Sequence, residues 1–362
     1  MKKHIGFLIM NMQKGGGTER VTSIIANELS VRDYKISIIS CQEGEKSHFP
    51  VYRSVNLYSL HGERISNSVK RKAYCFLKLK DILCSQHIDY MIAVDVALYI
   101  YIFPLQKLGY CKGIAWEHFN YYISVDKKAK LGRTMAAKFA DYVVVLGKRD
   151  LINYKEHYRK IKHIVNIYNP LALDAHKTAD MEKKNIIAVG RLTEQKGFDL
   201  LIKVWEKVEA EMNDWTLNIY GEGELRGQLQ KMIQEKKLRN IHLCGYTDNI
   251  EEKYLESSIF ALTSRYEGYV LVLIEAQAKG LPCISFDCKE GPSEIIDDGV
   301  NGFLIEEGDI EEYSKKLMIL MRDISLRQRF SENARKDLEK YDIRNILCEW
   351  EKIFYNLGVQ KR

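Results

Sequence analysis

Apolar residues in the first half of the chain come in short bursts. HIGFLIM (4–10), KISIIS (35–40), DYMIAV (89–94), GIAW (113–116) and DYVVVL (141–146) are each four to seven residues long. Runs without polar alternation predict strands covered on both faces, since a half-exposed strand would alternate. Helical spacing fills the gaps, over Thr18 to Leu29, 66–85, 96–108 and 126–140. Strand and helix in succession predict a parallel sheet with helices on both sides. Asn169-Pro170 interrupts the rhythm, and the LALDAHKTADMEKK that follows has no apolar period. Proline stops regular structure, so a domain boundary is placed there. The rhythm then restarts with NIIAVG (185–190), a helix at 198–210, WTLNIYG (215–221) and a helix at 224–236. NIHLCG (240–245), SIFALTS (258–264), a helix from 271, LPCISFD (281–287) and a helical tail at 309–358 complete it.

The fold expected is therefore α/β, with two doubly wound Rossmann-like domains facing a central cleft. Their bounds are 1–168 and 185–340, with a linker at 169–184 and a C-terminal helix at 341–362 that packs back toward the first domain. In such sheets ligands sit beyond the carboxyl ends of the strands, so chemistry is sought in the loops that follow strands.

Composition narrows the classes. A chain of 362 residues, 46% hydrophobic and 29% charged, suits two globular domains and excludes a disordered one. The apolar run Ile5 to Met10 is too short for a secretory core, and the stretch 91–105 carries Asp95 and falls short of a membrane span. Eight cysteines form no CxxC pair, which points to reduced thiols in the cytosol rather than a zinc site or disulfide framework. Charge is lopsided. Residues 1–168 carry 27 Lys and Arg against 14 Asp and Glu, whereas the remainder carries 28 against 35. A basic half points to a polyanionic partner, such as an anionic membrane surface, a phosphorylated acceptor or nucleic acid; an ordinary solvated surface is the competing reading.

Four loops stand out. GRLTEQKGF (190–198) places Arg191 and Lys196 between a strand and a helix start, where two cations and free amides can hold a diphosphate. NMQKGGGTERV (11–21) puts three glycines between strand and helix, where a backbone can approach a ligand. It is neither GxGxxG nor a P-loop. AWEHFN (115–120) sets His118 past a strand end. SRYEGYVLVLIEA (264–276) sets Glu267 and Glu275 eight positions apart across an uncharged turn. YGEGELRG (220–227) reads as a strand-to-helix turn, and CKEGPSEIIDDGVNG (288–302) as turns whose amides suit an oxyanion.

Taken together these segments resemble the retaining GT-B glycosyltransferases of family 4. The matching pieces are GGGTERV, WEHFN, NP, VGRLTEQKGFDLLI, YGEGE, SRYEGYVLVLIEAQAKGLPCISFD and GPSEIIDDGVNGFLI, in the family's order across most of the chain. The last of these is similar to a subgroup that assembles bacterial surface polysaccharides. The resemblance implies that Glu267 holds hydroxyls of the donor sugar and Glu275 the ribose of the nucleotide. It implies that amides of Tyr269, Val270 and Leu271 meet the phosphates and that Arg191 and Lys196 neutralise them. Gly16 and Gly17 would close over the same phosphates, and His118 would lie beside the reacting carbon. Val270-Leu271 departs from the usual Gly or Pro followed by a hydrophobic residue, which leaves the donor sugar open.

The expected reaction is hexosyl transfer with retention, from UDP-sugar or, second, GDP-sugar, to a saccharide or lipid-linked saccharide in capsule, O-antigen, lipopolysaccharide or exopolysaccharide assembly. No cofactor is expected. No DxD pair follows a strand, so no obligatory metal is expected either. Lys70, Arg71 and Lys72, with the cations of KKAKLGR (127–133), form an expected acceptor or membrane patch, which allows a cytoplasmic or peripheral location. No RNP, helix-turn-helix or zinc pattern supports nucleic acid. Alternatives are a same-fold epimerase or hydrolase and a non-catalytic nucleotide-sugar binder.

Overall fold

A computed structural model describes residues 2–122, 127–289 and 291–359. The chain divides into two compact units, Met1–Pro170 with Lys340–Arg362, and Leu171–Glu339. The first unit runs β1 (Lys3–Ile9), α1 (Gly17–Ser30), β2 (Tyr34–Ser40), β3 (Val55–Ser59), α2 (Ser68–Gln86), β4 (Tyr90–Val94) and α3 (Tyr99–Lys107). It continues through β5 (Lys112–Trp116), α4 (Lys127–Phe139), β6 (Tyr142–Val145), α5 (Lys148–His157) and β7 (Ile164–Asn166). Its seven strands pair in the order β3-β2-β1-β4-β5-β6-β7, all parallel.

The second unit runs β8 (Asn185–Val189), α6 (Phe198–Glu211), β9 (Thr216–Tyr220), α7 (Arg226–Glu235), β10 (Ile241–Gly245) and α8 (Ile250–Leu255). Then come β11 (Ile259–Leu262), α9 (Leu271–Ala278), β12 (Cys283–Phe286), β13 (Gly302–Ile305), α10 (Ile310–Arg322) and α11 (Ile324–Ala334). Its six parallel strands pair in the order β10-β9-β8-β11-β12-β13. Both units are thus doubly wound α/β sheets.

The apolar runs bury as their pattern requires. Ile5, Phe7 and Leu8 of β1 have no exposed surface. In α6, Phe198, Leu201, Ile202, Val204, Trp205 and Val208 are buried, which puts one helical face on the sheet. The last helix, α12 (Ile343–Val359), belongs to the first unit. Trp350 meets Trp116 edge-on at 5.1 Å, Phe354 stacks on Tyr90 at 5.5 Å, and Arg32 pairs with Glu351 at 2.6 Å.

Several elements differ from the sequence pattern. The edge strands β3 and β7 were not anticipated, because only Val55 of β3 is buried and no residue of β7 is. Helices α5 and α8 and strand β13 are also additional. The segment 96–108 divides into a 3-10 turn, Val96–Leu98, and α3. Among the described residues, no helix is long and apolar enough to cross a membrane.

Candidate active site

In each sheet the strand order reverses once, and the loops flanking that reversal open a crevice at the carboxyl ends. In the second unit the reversal lies between β8 and β11. The loop after β8 carries Arg191 and Lys196; the loop after β11 carries Glu267. Residues 71 positions apart thereby meet, with Lys196 Nζ donating to Glu267 Oε1 at 2.6 Å. Glu267 is 5% exposed. Arg191 is exposed, and among the described residues no partner for its guanidinium is found.

A second set of contacts holds this pair. Arg265 grips Asp199 with two bonds of 2.8 and 2.7 Å and gives a third, of 2.7 Å, to the Glu194 carbonyl. Its own amide donates to Gln195 O at 2.8 Å, and Gln195 Nε2 donates back to Tyr266 O at 3.1 Å. The two loops are therefore stapled on both sides of the ion pair. Gly197 is left-handed (φ +62°), and a Cβ there would lie 2.1 Å from Thr263 O. Gly190 leaves room for the Lys196 stem, since a Cβ would touch it at 3.2 Å.

Glycines 221 and 223 serve the same scaffold. A Cβ on Gly221 would meet Gly190 O at 1.9 Å, and one on Gly223 would meet Leu192 O at 2.4 Å. The G-x-G here is a backbone-on-backbone contact. Gly291 (φ +98°) packs its loop on the Glu267 turn, with a Cβ position 2.9 Å from Val270 and 3.4 Å from the Glu267 Cβ. Glu290, just before it, lies outside the described residues.

Helix α9 begins at Leu271, after the buried Tyr269 and Val270. Two amides of the turn are already used: Leu271 N–H donates to Tyr269 O at 3.0 Å and Leu273 N–H to Val270 O at 3.1 Å. Glu275 lies one turn into α9, 5% exposed, and accepts from Tyr254 Oη at 3.1 Å. Nearby Cys288 is buried, and burial pushes its thiol up to about 12, which keeps it protonated at neutral pH.

The first unit supplies the other expected residues. Its reversal lies between β1 and β4. Gly16 caps α1 and is buried, while Gly17 is the first helical residue and is exposed. A Cβ on Gly15 would press on the His48 ring at 2.9 Å. His118 follows β5 with its ring against Trp116 at 4.3 Å. Among the described residues its buried Nε2 has no hydrogen-bond partner, and burial pulls the imidazole down to about 3, so it is neutral. Glu117, beside it, is fully buried. Burial pushes its carboxyl up to about 7, against the pull of Arg133.

The basic patch is only partly available. Lys70 and Lys72 are exposed, but Arg71 donates to Ile65 O at 2.7 Å and Ser66 O at 3.1 Å. Helix α2 buries Cys75, Leu79 and Leu83, as an amphipathic helix on a sheet does. The side chains of Lys127 and Lys128 lie outside the described residues. Among the described residues, no three His, Cys, Asp or Glu side chains are grouped to hold a metal.

Comparison with known proteins gives the family and the fold. Residues 172–337 match the family described as glycosyl transferases group 1. An uncharacterized glycosyltransferase of Haemophilus influenzae is 34% identical over 97% of this chain and 99% of its own. The amylovoran biosynthesis glycosyltransferase AmsD of Erwinia amylovora is 31% identical over 96% and 98%. Among solved structures, TarM of S. aureus, in a complex that includes UDP, superposes with a TM-score of 0.82 at 19% identity, covering 97% of this chain and 99% of that one. HepE of Anabaena with UDP and glucose gives 0.82 at 18%, over 98% and 100%. These neighbours share the two-sheet GT-B fold. The chain belongs to the group 1 glycosyl transferases, with relatives in bacterial polysaccharide synthesis.

Proposed function

We propose that the protein is a family 4 enzyme that moves a hexose from a UDP-sugar to a saccharide or lipid-linked saccharide, with retention at the anomeric carbon. The observation that carries this reading is the Lys196–Glu267 pair, held at the strand-order reversal with Arg191 exposed on the same loop. The chemistry needs a departing diphosphate stabilised and the sugar oriented. Two cations at a helix start favour the first, and a carboxylate that accepts sugar hydroxyls favours the second. Lys196 is shared: it neutralises buried Glu267 before the donor arrives and can bond a phosphate oxygen afterwards. Retention then proceeds by same-face substitution, the leaving phosphate accepting the acceptor's proton as the new glycosidic bond forms.

UDP is favoured over GDP because several structural neighbours were solved with UDP. Retention is favoured by relatives whose names specify α-linked products, including a poly(ribitol-phosphate) α-N-acetylglucosaminyltransferase of Staphylococcus aureus that matches 59% of this chain. Arg191 and Lys196 supply the counter-charge that a bound metal provides elsewhere, so turnover in EDTA is expected. The test is to incubate the protein with UDP-sugars and GDP-sugars, in EDTA, with saccharide acceptors, and to read the product anomer by NMR. An α-product from an α-donor is expected. An inverted product sinks the mechanism, and donor consumption without acceptor dependence points to a hydrolase or epimerase.

An acceptor on a lipid carrier would bring the enzyme to an anionic bilayer through exposed cations such as Lys70 and Lys72, each contributing about 1 kcal/mol. Flotation with vesicles containing anionic lipid is expected to exceed flotation with neutral ones and to fall in the Lys70→Ser, Lys72→Ser variant. Equal flotation with both vesicle types removes the membrane from the reading.

A further inference from the structure

Beyond Glu117, whose N–H still donates to Val144 O of β6 at 2.8 Å, the loop that carries His118 is held by side chains. Glu117, which opens it, has no exposed surface, and its Oε1 accepts from Phe119 N–H at 3.1 Å. Its Oε2 accepts from Arg133 Nε at 2.9 Å and from Tyr154 Oη at 2.5 Å. Arg133, 4% exposed on α4, spends its other two nitrogens on the loop backbone, donating to Tyr121 O at 2.9 Å and Asn120 O at 3.1 Å. From α5, Asp150 accepts from Tyr121 N–H at 2.8 Å. Tyr121 itself is stacked on His157 at 4.3 Å. Side chains from the β5 end, α4 and α5 thus converge on four backbone groups of residues 119–121.

A buried ion pair is weak evidence for stability, because desolvation offsets most of its attraction and apolar side chains of similar size would do as well. Apolar side chains cannot make directional bonds to an irregular backbone, and a strand reaches this loop only at its start, where Glu117 N–H donates to Val144 O of β6 at 2.8 Å. What the polar trio supplies is a fixed conformation for 117–121. That conformation seats the His118 ring on Trp116, with no partner for its Nε2 among the described residues.

We propose that Glu117, Arg133 and Tyr154 are positioning residues for the transfer reaction, acting through His118. This rests on the transferase reading above. None of the three needs to touch substrate. Under that reading His118 is a group the transfer uses, as the family resemblance implies, and small misplacements of such groups cost rate far more than binding.

The experiment compares wild type with Glu117→Gln and Tyr154→Phe. It reads the His118 imidazole signals by NMR, hydrogen exchange of the Phe119 and Tyr121 amides, and kcat, KM and nucleotide Kd. Expected are shifted His118 signals, faster exchange at both amides, and a kcat ten- to a hundredfold lower with nucleotide Kd within twofold. Arginine 133 tests direction: Arg133→Lys keeps the charge but loses the fork, and is expected to resemble Glu117→Gln. Should Glu117→Gln fail to fold, Tyr154→Phe, which keeps the ion pair, decides. Unchanged His118 signals in a folded variant overturn the proposal, as does a kcat within twofold of wild type. Shifted His118 signals in the variants, with a wild type that transfers no sugar, overturn instead the transferase reading.

Discussion

Alanine at Lys196 is expected to lower turnover by about two orders of magnitude, the usual size of losing one donor aimed at developing charge. The ammonium lies 2.6 Å from Glu267 and on the loop of Arg191, so its loss removes a positive charge from the place where a diphosphate would leave. A second consequence follows from burial. The Glu267 side chain is 6% exposed, and removing Lys196 takes a cationic partner from a largely buried carboxylate. The variant should therefore melt at a lower temperature as well. Rate and stability separate by measuring kcat well below the melting point and by adding Lys196→Arg. Arginine restores the charge and is expected to recover part of the rate and most of the stability. A normal rate in folded Lys196→Ala would refute the assignment of this loop to the diphosphate.

The sheets were legible because both faces of their central strands are covered, which leaves continuous apolar runs such as HIGFLIM and DYVVVL. Their edges were not. In β3 only Val55 is buried, so VNLYS resembles loop, and β7 is three half-buried residues. The site was legible to the same depth. Loops after strands could be picked out, and Lys196 and Glu267 stood in two of them. Nothing in the sequence says that these two loops flank the strand reversal, since that depends on β11 pairing with β8 rather than with β10. The supports were invisible for a simpler reason. Arg265 and Asp199 look like any surface charges until the fold sets them 2.7 Å apart across 66 positions. Glu117 reads as a polar neighbour of His118; its burial makes sense only with Arg133 and Tyr154, 16 and 37 positions away. Ion pairs of long separation leave no period to detect, whereas helices and strands do.

The other large effect is expected at Glu275, whose replacement by alanine should weaken nucleotide binding by about two to three orders of magnitude. A ribose diol facing a carboxylate donates two charge-assisted hydrogen bonds, each contributing about 1.5–3 kcal/mol. Losing both, with water taking part of their place, leaves about 3–4 kcal/mol, at 1.4 kcal/mol per decade. The structure adds a graded control. Tyr254 Oη, itself buried, donates to Glu275 Oε2 at 3.1 Å and fixes the carboxylate's orientation. Tyr254→Phe keeps the acid but removes one bond that orients it, and a loss of about tenfold is expected. Calorimetric titration of UDP and GDP in EDTA against wild type and both variants checks this. The base preference should survive in each variant, since the change is confined to the ribose contact. Equal affinities in wild type and Glu275→Ala would place the ribose elsewhere. A wild type that binds neither nucleotide would remove the donor site from this crevice and leave the Lys196–Glu267 pair without its proposed ligand.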